Sequence, residues 1–108
     1  MRRLRFFAAA RRDVLELRRY LTAEARSILV ARDFTARLVK RCEDLAALPG
    51  MLGRARGDLG PDLRSLAWRD YVIIFRYVGN EVQVIRILHG QRDLPAVLRD
   101  PPEAGRDA

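Results

Sequence analysis

The side chains of this sequence that could do chemistry crowd the end of one apolar run. EVQVIRIL (81–88) passes into His89, the single histidine among 108 residues, and then into Gly90, Gln91, Arg92 and Asp93. An imidazole titrates near neutrality, so His89 could give or take a proton in a reaction. The favoured reading is plainer: His89 caps the strand end and hydrogen-bonds locally. Arg92 and Asp93 can pair with each other or with the loop carrying Arg54 and Arg56, or they can offer a charged edge to a target.

No nucleophile completes a catalytic set. A serine–histidine–acid triad would have to use Ser27 or Ser65 with His89, and neither serine sits on a recognisable nucleophile turn. The glycine patterns that cradle phosphates or dinucleotides do not occur, nor does the paired-histidine zinc motif. One histidine with scattered acids gives no metal-ligand spacing. The lone Cys42 excludes an intramolecular disulfide and a cysteine-based zinc site. Leu38 and Leu45 stand beside it on a helix, which makes Cys42 a core thiol. The chain is expected to hold no metal and no cofactor.

The elements that must position residues 89–93 begin with a hairpin. YVIIFRYV (71–78) and EVQVIRIL flank Gly79-Asn80, a two-residue turn signal. If those two residues are the whole turn, Val78 faces Glu81. Tyr77, Phe75 and Ile73 then lie by Val82, Val84 and Arg86 on one face; Arg76, Ile74 and Val72 lie by Gln83, Ile85 and Ile87 on the other. LRSLAW (63–68) adds a third strand through Arg69-Asp70, and Arg3 to Phe7 form a short opening strand. Both faces of this sheet are apolar at the centre. Only one helical hairpin is available to cover them, so a bound partner or a dimer is expected on the other face.

The helices show in the periodicity. Ala10, Val14, Leu17 and Leu21 recur on one helical face, with Asp13 and Glu16 suited to the first turns. Thr22 is placed to cap a second segment. Val30, Phe34, Leu38, Cys42, Leu45 and Leu48 form the stripe of a longer helix, and Ile28, Leu29, Ala36, Val39, Ala46 and Ala47 a weaker second line that could receive a partner. Pro49-Gly50 ends it.

The chain is long enough for one domain, taken as residues 1–99, with DPPEAGRDA (100–108) as a polar, disordered tail. No apolar stretch approaches the ~20 residues of a membrane span, and the N-terminal apolar run is too short for a signal-peptide core. A cytoplasmic protein is expected. Its 21 basic side chains exceed 14 acidic ones, for a net charge of +7. That excess favours a polyanion or an acidic partner, yet the arginines are scattered and form no basic tail.

The order β-α-α-β-β-β, with ARRDVLELRRYL, DLAALPGMLGRARGDLGPDLRSL and YVIIFRYVGNEVQVIRILHGQRDLPAVL, resembles the ParE/RelE superfamily of toxins from bacterial type II toxin–antitoxin modules. The likeness is strongest to the ParE branch and covers most of residues 8–98. Its most specific part is Leu-His-Gly-x-Arg-Asp directly after a hairpin. The resemblance implies an α+β fold, a helical hairpin packed on a small antiparallel-rich sheet.

It also separates two activities. The RelE branch cuts messenger RNA in the ribosome with basic residues on the sheet, an arginine after the last strand and a tyrosine a little later. These are the base, stabiliser and acid that attack by a 2′-hydroxyl requires. Carried onto this chain, Arg92 matches the arginine. The tyrosine falls on Leu98, the strand arginine on Val72, and two lysines on Gly60 and Asp62; Tyr71 and Tyr77 lie within strands and do not substitute.

The implied protein is thus a non-enzymatic ParE-like toxin that inhibits DNA gyrase. The alternatives are a RelE-like messenger endonuclease with a rearranged site, and a toxin fold that acts only in its antitoxin complex. Candidate target contacts are Arg64, Arg86, His89, Arg92 and Asp93, with Arg76 behind them, although Arg64 and Arg86 could equally brace the sheet and loop. The resemblance further implies a cognate antitoxin, bound along Leu17, Leu21, Leu29, Phe34 and Val39, with operator DNA reached only through that antitoxin.

Overall fold

The structure is a computed structural model that describes residues 1–98; the tail expected at 100–108 lies outside the described residues. In chain order the elements are β1 (Arg3–Phe6), α1 (Ala8–Ala25), α2 (Ile28–Ala47), β2 (Arg54–Ala55), β3 (Arg64–Trp68), β4 (Tyr71–Val78), β5 (Glu81–His89) and α3 (Leu94–Leu98). The sheet runs β1-β5-β4-β3-β2, with β1 parallel to β5 and the remaining pairs antiparallel. The expected α+β architecture is present. Two short elements, β2 and α3, join it.

Gly79-Asn80 is the whole turn between β4 and β5, as the sequence predicts, and Val78 pairs with Glu81. Gly79 takes a positive φ of 56°, which such a turn requires and glycine adopts without strain. Tyr77↔Val82, Arg76↔Gln83 and Phe75↔Val84 follow in the expected register. Beyond them the register shifts. A bulge leaves Ile85 unpaired, so that Ile74 meets Arg86, Ile73 meets Ile87 and Val72 meets Leu88. The expected pairs Ile73–Arg86, Ile74–Ile85 and Val72–Ile87 are therefore wrong by one residue. The extra residue lets Val84 and Ile87 both point to the helices while Ile85 and Leu88 point away.

The helical hairpin departs from expectation at its turn. Thr22 lies inside α1, where its hydroxyl donates to the Arg18 carbonyl at 2.7 Å. A threonine satisfied on the carbonyl four residues back does not force a helix boundary. Ser27 is the cap instead, its Oγ accepting from Val30 N–H at 3.2 Å, after Arg26 turns the chain through a left-handed conformation. The buried face of α2 is Ala31, Thr35, Leu38, Cys42, Leu45 and Ala46, whereas Val30 is 53% exposed. Small Ala31 and Thr35 turn inward because α1 lies there: Arg18 Nε donates to Thr35 Oγ1 at 3.4 Å. Leu48, also expected in the stripe, is exposed beyond the helix end.

Two apolar layers result. Leu38, Cys42 and Leu45 pack with Ile73, Phe75, Val82, Val84 and Ile87 between sheet and helices. On the outer face Phe7, Ile74, Ile85 and Leu88 pack with Leu94, flanked by Leu59, Leu63, Val72, Val97 and Leu98. The second face was expected to need a partner or a second copy. The chain covers it in part with its own α3 and the 59–63 loop, a contribution hidden in a five-residue helix too short to show a period.

Burial pushes the Cys42 thiol up to about 12, so its thiolate is suppressed in the fold. An ordinary thiol ionises near ~8.5, so stability from this neutral thiol is complete below that value and falls as pH rises toward the folded one. We expect a thiol-alkylating reagent to spare Cys42 at mildly alkaline pH and to label it fully once urea unfolds the chain. Labelling of the folded protein would mean the α2 core face is open.

Gly53 has a positive φ of 67°, and a Cβ there would collide with the Ser65 carbonyl oxygen on β3. Replacement by alanine strains both backbone and contact, and we expect Gly53→Ala to lower unfolding free energy by about 1–3 kcal/mol in urea titration.

Candidate functional site

The site is assembled where β1 ends. Phe7 N–H donates to Val84 O at 2.9 Å, and the chain then leaves the sheet as α1. From that point β5 has no strand on its outer edge. Asp13, in the second turn of α1, fills the gap. Its Oδ2 accepts from Ile87 N–H at 2.9 Å and from Arg86 Nε at 2.8 Å, and its Oδ1 accepts from Arg86 Nη2 at 3.0 Å. The two side chains are 9% and 17% exposed. A forked guanidinium–carboxylate pair of this kind fixes direction as well as distance.

That clamp sets the course of β5 to its end. His89 pairs with Tyr71, and their rings meet edge to face with centroids 5.4 Å apart. Gly90 N–H donates to Asp70 O at 2.8 Å, Arg92 N–H to His89 O at 3.0 Å, and Gln91 N–H to His89 Nδ1 at 3.2 Å. His89 is thus a local cap, as its favoured reading has it; accepting at Nδ1 places the neutral ring's proton on Nε2. Asp93 begins α3, its Oδ1 accepting from Ala96 N–H at 3.3 Å. Arg92 is exposed, and its guanidinium has no partner among the described residues.

Asp13, Glu16, Leu17, Tyr20, Tyr71, Ile87, Leu88, His89 and Arg92 line a concavity of about 310 Å³. Its wall continues as an aromatic series, with Phe34 edge-on to Tyr71 at 6.0 Å and to Trp68 at 5.0 Å, and Arg69 over the Trp68 ring at 4.9 Å. Burial, first of all, raises the Tyr71 phenol above its ordinary value, so it stays protonated. Tyrosine, tryptophan and arginine together are the residues on which protein interfaces concentrate their energy. Among the described residues no group of His, Cys, Asp and Glu is placed to hold a metal ion.

The sequence-predicted target residues do not all belong here. His89, Arg92 and Asp93 come together. Arg86 stands beside them, committed inward to Asp13. Arg64 is elsewhere, donating through Nε to Leu52 O at 2.9 Å and through Nη2 to Gly53 O at 3.2 Å; it ties the 52–53 loop to β3. Arg76 donates to Gln83 Oε1 at 2.7 Å on the outer face. Sequence reasoning missed Asp13, Glu16 and Tyr20 as site residues. No local signal could reveal the Asp13–Arg86 pair, which joins positions 73 apart.

The proposed antitoxin-facing residues separate in the same way. Leu17 is 8% exposed and belongs to the core, so it offers no docking surface. Leu21 is half-buried against that core, and Phe34 is held in the aromatic series. Leu29 is 73% exposed near the start of α2. Val39 lines an apolar concavity of about 230 Å³ with Phe6, Arg11, Val14 and Leu15. Leu15 was not singled out, since it lies off the periodic stripe of α1.

A helical hairpin on an antiparallel-rich sheet is the fold that the sequence resemblance implies. The structure of the chromosomal ParDE toxin–antitoxin system from P. aeruginosa is similar, with a TM-score of 0.71 over 82% of this chain and 96% of that one, at 22% identity. Residues 4–94 match the family described as the ParE toxin of type II toxin–antitoxin system, parDE. The chain belongs to this family. Toxin ParE3 of Caulobacter vibrioides is 41% identical over 54 residues, a stretch that is 50% of this chain and 53% of that relative. No helix among the described residues is long and apolar enough to cross a membrane.

Breaking a buried ion pair leaves the surviving charge without its counter-ion, at a cost of about 3–5 kcal/mol. We expect Asp13→Asn to lose stability toward the lower end of that range in chemical denaturation, since the amide can still hydrogen-bond. Asp13→Asn combined with Arg86→Met removes the stranded charge, keeps an acceptor for the Ile87 N–H, and should recover most of it. An unchanged midpoint for Asp13→Asn would mean the clamp contributes nothing.

Proposed function

We propose that this chain inhibits DNA gyrase, so that replication stalls, and that a cognate antitoxin neutralises it. One observation favours a binding surface over an RNA-cutting site. Where a RelE-type enzyme needs its acid and strand arginine, this chain has Leu98 and Val72, both packed into the apolar outer layer. Gly60 and Asp62 stand at the two lysine positions, and Arg92 alone retains its type. Methylene and methyl groups can neither move a proton nor neutralise a phosphorane.

In this reading His89 and Arg92, with Tyr20, Tyr71 and Glu16 around the same concavity, meet the target. Asp93 and Arg86 hold the segment in place. The antitoxin covers the helices, where Leu29, Val39 and Leu15 offer apolar surface, and the net charge of +7 favours an acidic segment. Operator DNA is read by the antitoxin, with this chain as co-repressor. The setting is the cytoplasm, where gyrase works.

The test is a plasmid supercoiling and cleavage assay with purified gyrase, run beside a ribosomal messenger-cleavage assay. Loss of supercoiling with trapped cleaved DNA is the expected result. Arg92→Ala should raise the concentration needed for half-inhibition about tenfold or more, the effect of truncating an interface anchor. Intact gyrase activity with cut messenger would overturn the proposal.

A further inference from the structure

The pleat of the sheet sends alternate side chains to opposite faces. Val82 and Val84 point to the helices, so Glu81 and Gln83 point outward, and so do Arg3 and Arg5, which pair with them from β1. Gln83 in turn pairs with Arg76 on β4. Continuing the β3–β4 register, Leu63 lies next, and Arg56 N–H donates to Leu63 O at 2.8 Å. One line straight across the outer face therefore reads Arg5, Gln83, Arg76, Leu63, Arg56. Arg3 and Arg54 flank it one pleat away at either end.

These guanidiniums are aimed by fixed partners. Arg76 Nε donates to Gln83 Oε1 at 2.7 Å, Gln83 Nε2 donates to Glu81 Oε1 at 2.8 Å, and that oxygen also accepts from Arg5 Nη1 at 3.3 Å. Arg5 and Arg76 converge on one ring, their central carbons 5.7 Å and 5.8 Å from the Phe7 centroid. Arg56 is held by Asp58 and by Ser65 Oγ. Among the described residues, Glu81 accepts from Arg5 and Asp58 from Arg56 on this face. Because Gln83 is neutral, Arg76 keeps its whole charge in the middle of the line.

We propose that this line binds the phosphate backbone of duplex DNA. Strands lie ~4.8 Å apart, so Arg5, Arg76 and Arg56 stand roughly 10 Å from one to the next on a rigid floor. A duplex is rigid too and densely charged, so it meets such a row without ordering itself first. An acidic peptide would have to give up chain entropy to do so. The contact is to phosphates and is independent of sequence. It does not rest on gyrase inhibition and uses a different face from the His89–Arg92 concavity.

The experiment is fluorescence anisotropy of a short labelled duplex with the purified chain, from ~50 to ~200 mM salt, where phosphate contacts show as a steep loss of affinity. Arg5→Gln combined with Arg76→Gln should weaken binding about tenfold or more and lower the log–log salt slope by about two. Arg76→Lys should restore most of the affinity, since a point charge still serves a phosphate. Arg32→Gln with Arg37→Gln removes equal charge from exposed α2 and should change binding less than about twofold. Thermal unfolding of each variant separates lost contact from lost fold. The proposal fails if the α2 variant weakens binding as much, if the unaltered chain does not bind, or if polyglutamate competes as well as unlabelled DNA at equal charge. Gyrase is absent, so failure here leaves the inhibition assay untouched.

Discussion

A carboxylate wedged between a helix and a strand edge organises this molecule. When β1 ends, β5 is left with a backbone N–H at Ile87 facing no strand, and a buried donor without an acceptor is expensive. Asp13 supplies the acceptor. It also takes the Arg86 guanidinium in a two-point fork, so one residue satisfies a strand edge and a nearly buried cation together. The pair joins the second turn of the first helix to the second half of the last strand. It closes the chain on itself.

The bulge at Ile85 makes the clamp possible. With unbroken alternation Arg86 would point among the apolar side chains between sheet and helices. The extra residue sends it to the free edge and returns Ile87 to the helix side, so both layers stay apolar. The strand then delivers His89 onto Tyr71, and the Gly90–Asp70 and Arg92–His89 backbone bonds fold the following segment back. Arg92 is presented because everything around it is tied down.

Much of this was legible. The hairpin, its turn and its first pairs follow from Gly79-Asn80 and the alternation on either side. The core role of Cys42 follows from its helical neighbours. What was not legible depends on contacts between distant residues or on very short elements. The bulge leaves no mark in EVQVIRIL, because apolar residues fill both faces. The inward face of α2 begins with Ala31 and Thr35, which hydrophobicity alone passes over in favour of Val30, and ends before Leu48. Leu17 reads equally well as core or groove until α2 and the sheet are in place. Asp13 reads as an ordinary acid in a helix's first turns, and only the return of β5 gives it a partner. In the site, residues 89–93 were visible as a cluster; the tyrosines and Glu16 that surround them come from other elements.

The chain joins a toxin-family fold to an aromatic-walled concavity lined by His89, Arg92, Tyr71, Tyr20 and Glu16. In the function proposed, the segment clamped after β5 meets the target. Hydrogen exchange of the chain, free and bound to gyrase on cleaved DNA, tests this most directly. The account predicts added protection over residues 86–93 and around Tyr20 and Tyr71, with the α2 surface unchanged. Protection confined to α2, or none anywhere under conditions of inhibition, would contradict it.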